Sequence, residues 1–163
     1  MSVLVFTESW EGRFRKSTFE AVSYASETAK LLGTEIVAIS LGEVSNDELN
    51  KLGNYGATKV ISNPNINKGD GQAATAVIAK QSNDASVIIF SNTYTAKMIA
   101  PRLSAKLKIG AISNVIEIAK STTPLTVKRQ AFSSKAIEIA TVNSEKAIIS
   151  IAPNSFGLIE TKV

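Results

Sequence analysis

Apolar runs and polar breaks alternate along the chain in a rhythm that predicts strands joined by amphipathic helices. Val3-Leu4-Val5-Phe6-Thr7 carries no charge and is short enough for a strand buried on both faces. A polar loop spans Glu8 to Lys16. Ser17-Thr18-Phe19-Glu20 then has the S-x-x-E spacing of a capping box. In such a box the Ser hydroxyl accepts from the amide three residues on, and the Glu reaches back to the Ser amide. Phe19, Val22, Ala25, Ala29 and Leu32 recur at steps of three and four and so share one helical face. Gly33 follows, where a left-handed C-cap favours a residue without Cβ. Glu35 to Leu41, centred on Ile36-Val37-Ala38-Ile39, is the next strand. A helix between two buried strands predicts a right-handed βαβ crossover with parallel pairing.

The unit repeats. Ser45-Asn46-Asp47-Glu48 is a second S-x-x-E and opens a short helix with Leu49 and Leu52 on one face; Gly53 and Gly56 punctuate its end. Thr58 to Ser62 reads as the third strand, and Asn63 to Gly69 is rich in turn residues. A helix is predicted from about Gly71 to Gln81, with Ala73, Ala74, Val77 and Ile78 as its buried stripe. Ser86 to Ser91 is the fourth strand and about Ala96 to Lys106 the fourth helix. Pro101 lies inside that helix, where it fits only near the first turn or at a kink. Gly110 to Ile118 is the fifth strand region. Beyond the turn Ser121-Thr122-Thr123-Pro124 the rhythm changes. Leu125 to Phe132, Ala136 to Val142 and Lys146 to Ile151 are β-like with no helix between them, and the turns at Ser133-Ser134 and Asn143-Ser144-Glu145 are hairpin-sized. The expectation is a single α/β domain: a mostly parallel sheet with an antiparallel C-terminal extension. Residues 1–156 form the domain, and 157–163 are an exit segment.

Composition narrows the chemistry. At 163 residues the chain is long enough to bury a full core, about 70% of its unfolded surface. It contains no Cys and no His. That removes thiolate catalysis, zinc and iron–sulfur ligation through Cys, and the commonest general base. Lysine and arginine exceed acids by 18 to 14, a mild attraction for anionic partners. The densest basic spots, Arg13-Phe14-Arg15-Lys16 and Lys128-Arg129, read as solvated loop charge, with no nucleic-acid-binding motif around them. No apolar run approaches the roughly 20 residues of a membrane span. The opening apolar residues read as a buried strand rather than a signal peptide, and the lack of Cys fits the cytoplasm.

Few residues invite a catalytic reading. Gly69-Asp70-Gly71-Gln72-Ala73-Ala74 matches G-x-G-x-x-A, but the seven residues Asn63 to Gly69 intervene after the preceding strand before a tight turn could begin, and the strand after it ends on Ser91-Asn92 with no acidic residue for a ribose. The match reads as a flexible helix entry. Ser133-Ser134-Lys135 imitates a Ser–Lys pair, which would need a desolvated lysine; a hairpin turn is wet. Glu8 ends the first strand, at the carboxyl edge where open α/β sheets bind ligands. A lone carboxylate there either meets a ligand or caps the neighbouring loop. Arg102, after Pro101, is either an anion-pairing residue or a solvated helix charge.

Several segments in order resemble the N-terminal domain of electron transfer flavoprotein alpha subunits. Val3 to Glu8, with Ser17-Thr18-Phe19-Glu20-Ala21-Val22, is similar to that family's opening strand and helix. Tyr55-Gly56-Ala57-Thr58-Lys59-Val60 resembles its "YGADKV" strand entry. Ala100-Pro101-Arg102-Leu103-Ser104-Ala105-Lys106-Leu107 resembles its "APRLAAKL" helix, and Ser113-Asn114-Val115 the end of "GLVSDV". Lys128 to Ala136 and Ile148 to Phe156 correspond to "RPIYAGNA" and "VLTVRPTAF".

The resemblance implies a Rossmann-like three-layer scaffold with no active site of its own. It implies a heterodimer with a beta subunit that holds one FAD and shuttles electrons from flavin dehydrogenases, such as the acyl-CoA dehydrogenases of fatty acid oxidation, to a quinone reductase or another acceptor. The family's FAD sits mainly in a C-terminal alpha domain, whose sequence would begin where this chain stops, so no cofactor is expected on this chain alone. The "YAGNA"-like turn reads Phe132-Ser133-Ser134-Lys135-Ala136, with the Gly gone and a Lys added. Arg102, Arg129, Phe132 and Lys135 are the candidate interface residues, with the aromatic and the arginines the better anchors. The alternative reading is a free-standing adenine-nucleotide module using the edge near Glu8 and Ser91-Asn92.

Overall fold

The computed structural model describes residues 1–122, 124–131 and 136–160. The elements follow in the order β1 (Ser2–Phe6), β2 (Ser9–Trp10), β3 (Arg13–Phe14), α1 (Lys16–Leu32), β4 (Glu35–Leu41), α2 (Asn46–Asn50), a 3-10 turn (Lys51–Tyr55), β5 (Lys59–Asn63), α3 (Gly71–Gln81), β6 (Ala85–Ser91), α4 (Tyr94–Leu107), β7 (Gly110–Val115), β8 (Ser121–Thr122), β9 (Leu125–Ala131), β10 (Ala136–Val142) and β11 (Ala147–Ile151). All five residues of β1 are buried, as its uncharged run predicts for a central strand. The main sheet runs β10-β9-β7-β11-β6-β1-β4-β5, with β8 paired to β9. Strands β7, β11, β6, β1, β4 and β5 are parallel, while β8, β9 and β10 pair antiparallel.

Each sheet face has its own core. Val3, Val5, Ala38, Val87, Ile89, Ile149 and Ile151 pack with α1 through Ala21, Val22, Tyr24 and Ala25. The alternate residues Leu4, Phe6, Ile39, Ile88, Phe90 and Ile148 pack with α3 and α4 through Ala74, Ile78, Ile99 and Leu103. This period-two division yields three layers, helix on sheet on helix.

Two sequence expectations need correction. The run after Asn143-Ser144-Glu145 does not close a hairpin. β11 inserts between β6 and β7 and runs parallel to both. Its five residues are all buried, and a strand with no polar alternation can be satisfied only in the sheet's interior. The antiparallel extension is therefore β8–β10. The capping box at Ser17 does not form either: α1 starts at Lys16, its N-cap is Arg15 with no side-chain bond, and Ser17 lies within the first turn. The second S-x-x-E behaves as predicted at its Ser, whose hydroxyl accepts from Glu48 N–H, but Glu48 turns away to accept from Phe14 N–H at 2.9 Å. The polar loop after β1 holds the small β2–β3 hairpin. Gly33 ends α1 at φ 65°, the left-handed cap expected of it.

Candidate functional site

The strand order turns back on itself at β1: β4 and β5 lie to one side, and α3 carries the chain across to β6 on the other. The carboxyl ends of β1 and β6 therefore flank the topological switch point, where ligands of open α/β sheets bind. Three elements deliver side chains there. Glu8 follows β1, Thr93 caps α4 directly after β6, and Lys68 comes from the β5–α3 loop.

These side chains satisfy one another. Glu8 Oε1 accepts from Thr93 Oγ1 at 2.5 Å, and Glu8 Oε2 pairs with Lys68 Nζ at 2.9 Å. Lys68 Nζ also donates to the Ser9 carbonyl at 2.7 Å and lies 4.2 Å from the centre of the Trp10 ring, which Arg15 approaches at 4.4 Å. The Glu8 carbonyl accepts from Thr18 Oγ1, and Thr7 Oγ1 donates to the Ile39 carbonyl. Glu8 is 5% exposed. Thr93 Oγ1 itself accepts from Ala96 N–H, so the carboxylate sits at the N-terminal end of α4. A helix N-terminus attracts an anion, and here the chain supplies its own.

The crevice does not fit a dinucleotide. A pyrophosphate would have to displace Glu8 from Thr93 and would meet its negative charge. The G-x-G-x-x-A match offers no second cradle, because the Asp70 carboxylate accepts from Ala73 N–H and caps α3 itself. A Cβ on Gly71 would meet Met98 Sδ at 3.2 Å, so that glycine serves helix packing. On the other flank, Asn92 Nδ2 donates to Asn114 Oδ1 at 2.6 Å.

The candidate interface residues are not gathered into one site. Arg102 is exposed on α4, above Gly71 at the start of α3. Arg129 lies on β9, where its guanidinium donates to the Ser113 carbonyl at 2.9 Å and pairs with Glu138 at 3.5 Å. Among the described residues β7 meets β9 at Val115 and Arg129, with Ile116 N–H donating to the Lys128 carbonyl at 3.1 Å beside them, so this side chain reinforces a short junction. Phe132 and Lys135, with the Ser133-Ser134-Lys135 turn, lie outside the described residues. Sequence reading passed over Lys68 and Thr93. Thr93 was legible as an N-cap before an apolar-periodic helix; Lys68, in a turn-rich loop, had no local signal.

Strand order, three layers and the switch point define a Rossmann-like α/β domain. The chain belongs to the electron transfer flavoprotein family: the family described as "Electron transfer flavoprotein domain" matches residues 3–162. Its match corresponds to the N-terminal domain of that family's alpha subunit. It is 30% identical over 159 residues to electron transfer flavoprotein subunit alpha of Bacillus subtilis (strain 168), covering 94% of this chain and 48% of that protein. It is 26% identical over 156 residues to the subunit alpha of Syntrophomonas wolfei, covering 91% of this chain and 47% of that protein. Over 112 residues it is 30% identical to acryloyl-CoA reductase electron transfer subunit beta of Anaerotignum propionicum, covering 66% of this chain and 30% of that protein. The chain spans about half the length of the alpha subunits it matches.

Proposed function

We propose that this domain is the scaffold and subunit-interface part of an electron transfer flavoprotein alpha subunit. It holds its assembly together rather than performing chemistry of its own. The partner is a beta-type electron transfer flavoprotein subunit, and the assembly's FAD is held mainly by a C-terminal flavin domain of the kind the family resemblance implies. Electrons pass from flavin dehydrogenases, acyl-CoA dehydrogenases among them, to a quinone reductase or another acceptor in the cytoplasm. The observation that carries this reading is the switch-point crevice, filled by Glu8, Thr93 and Lys68 in a chain of this family. Among the described residues no helix is long and apolar enough to cross a membrane.

The test is a calorimetric titration of the 163-residue chain with FAD and with AMP, with flavin absorbance followed in parallel. The expected result is no saturable binding of either. Saturable FAD binding would show a flavin site on this chain and overturn the scaffold reading. Saturable AMP binding alone would establish the adenine-nucleotide module instead.

A further inference from the structure

On the α3/α4 side of the sheet the helical layer ends at α4. Beyond it β7 turns Ala111 and Ser113 to the surface, and both are exposed. A trough of about 510 Å³ runs between α4 and β7, with Lys97, Pro101, Ala105, Ala111 and Ser113 along it. A smaller hollow of about 200 Å³ shares Ala111, Ile112 and Ser113 with it and continues to Arg129 and Glu138. The two form one depression across β7. Its lining sets Ala100, Pro101, Ala105 and Ala111 beside the polar Asn92 and Asn114, with no aromatic face on which a base could stack.

The helix beside this trough carries the chain's charge imbalance; of its cations Lys97 lines the trough, while Arg102 lies over Gly71 on the α3 side. From Ala85 to Ile116 there is no Asp or Glu, while Lys97, Arg102, Lys106 and Lys108 all lie on α4 or its C-cap. All four are exposed. Of the 18 basic residues, removing these four leaves 14, equal to the 14 acids. Five bases elsewhere find acids: Lys30 with Glu27, Lys51 with Glu48, Lys68 with Glu8, Lys128 with Glu117 and Arg129 with Glu138. Among the described residues no ion pair involves the four on α4. A helix with a basic solvent side and an apolar trough at its foot is matched by a protein surface that offers small apolar side chains flanked by carboxylates.

We infer that the trough between α4 and β7 is the docking surface for an acidic segment of the partner subunit, with Lys97 as its charge contact and Ala105 and Ala111 as its apolar floor. This rests on the scaffold reading above and specifies which face of the scaffold is used. The unpaired charge on α4 steers the encounter, and the trough fixes the register.

The test measures binding of the unmodified chain to a beta-type electron transfer flavoprotein subunit from the same source, by calorimetry at low and at physiological salt. The variants are Lys97→Glu and Ala111→Arg, with Lys80→Glu on the exposed side of α3 as the charge control. Ala105→Arg, exposed on α4, repeats the steric block should Ala111→Arg disturb the strand; circular dichroism and urea midpoints establish which variants fold. Lys97→Glu and the folded steric variant should each weaken binding by about tenfold or more, and Lys80→Glu by less than about twofold. Added salt should weaken the unmodified chain more than Lys97→Glu. If the unmodified chain binds and both trough variants bind as tightly, the docking surface is wrong and the scaffold reading stands. If Lys80→Glu loses as much as Lys97→Glu, the charge effect is general and the surface is again wrong. If the unmodified chain does not bind the beta subunit, both readings fail. Self-association abolished by Ala111→Arg would give the trough to a second copy and overturn the proposal.

Discussion

Glu20 Oε2 accepts the backbone N–H of Gly157 at 2.7 Å, tying the first helix to the last described residues of the chain. The same oxygen accepts from Phe156 N–H at 3.3 Å, and Oε1 accepts from Asn154 N–H at 2.8 Å. Three residues on, Ser23 Oγ accepts from Ile159 N–H at 2.9 Å, and the Phe156 ring meets the Tyr24 ring edge-on at 5.1 Å. Glu20 is 1% exposed, so its charge is compensated by oriented backbone dipoles rather than by a cation. The segment after β11 is therefore part of the domain's packing as far as Ile159.

Removing that carboxylate strands three N–H groups. Glu20→Ala should cost about 2–4 kcal/mol in urea denaturation. Amide exchange should accelerate at Asn154, Gly157 and Ile159 well before it does in β1 or β6. Exchange that rises equally in the central strands would show that the clamp is not a local device.

Lys68 neutralises a carboxylate that is almost wholly enclosed. Its own side chain is 25% exposed and that of Glu8 is 6% exposed, so the penalty for losing it is smaller than for a fully buried pair. Lys68→Ala should destabilise the fold by about 1–3 kcal/mol. Trp10 is the only tryptophan and contacts the Lys68 ammonium, so its emission reports the site directly. The variant should shift the emission maximum under native conditions. Unchanged emission together with an unchanged urea midpoint would contradict this account of the crevice.

What could be read from the sequence divides along local and non-local lines. The buried strands, Gly33 as a C-cap, Asp70 at the start of α3 and the two-faced core all follow from periodicity and capping chemistry within a few residues. The Ser17 and Ser45 motifs show the limit. Both have S-x-x-E spacing, yet Glu20 is drawn off by amides 134 to 137 residues away, and Glu48 by Phe14, 34 residues away. No local window contains those partners. β11 is a different case, because its signal was present. Ala147-Ile148-Ile149-Ser150-Ile151 has no polar alternation, whereas Ala136-Ile137-Glu138-Ile139-Ala140 alternates as an edge strand does. The hairpin-sized turn before it pointed the other way, and burial decided the outcome. The switch point was legible as a place, through Glu8 and Ser91-Asn92. Its closure was not, because Lys68 arrives from a third loop.

Two glycines with positive φ should respond very differently to alanine. At Gly56, φ is 117° and a Cβ would stand 2.6 Å from Ser26 Oγ and 2.9 Å from Ser26 Cβ, on a buried helix face. At Gly33, φ is 65° and no atom lies within 4 Å of the added carbon. Gly33→Ala should cost about 1 kcal/mol, the left-handed penalty alone. Gly56→Ala adds a clash that α1 must move to relieve, and should cost about 3 kcal/mol or more. Equal urea midpoints for the two variants would mean that α1 yields freely at Ser26.

Tyr24 should make the domain sensitive to alkali. The side chain is fully buried, and its hydroxyl donates to the Glu117 carbonyl at 2.8 Å. Burial pushes its ionisation well above the ordinary tyrosine value of 10.0. The unfolded chain releases this proton near that ordinary value, whereas the folded chain retains it. The resulting stability is complete below about pH 10 and drains away as pH rises toward the folded value, at up to about 1.4 kcal/mol per pH unit. Tyr24→Phe removes the titrating group and gives up one hydrogen bond, a loss of about 1 kcal/mol at neutral pH. Urea midpoints measured from pH 8 to 11 should therefore converge: the variant starts lower and falls less steeply above pH 10. Two curves that fall in parallel across that range would assign the alkaline loss to other groups and leave Tyr24 a packing residue only.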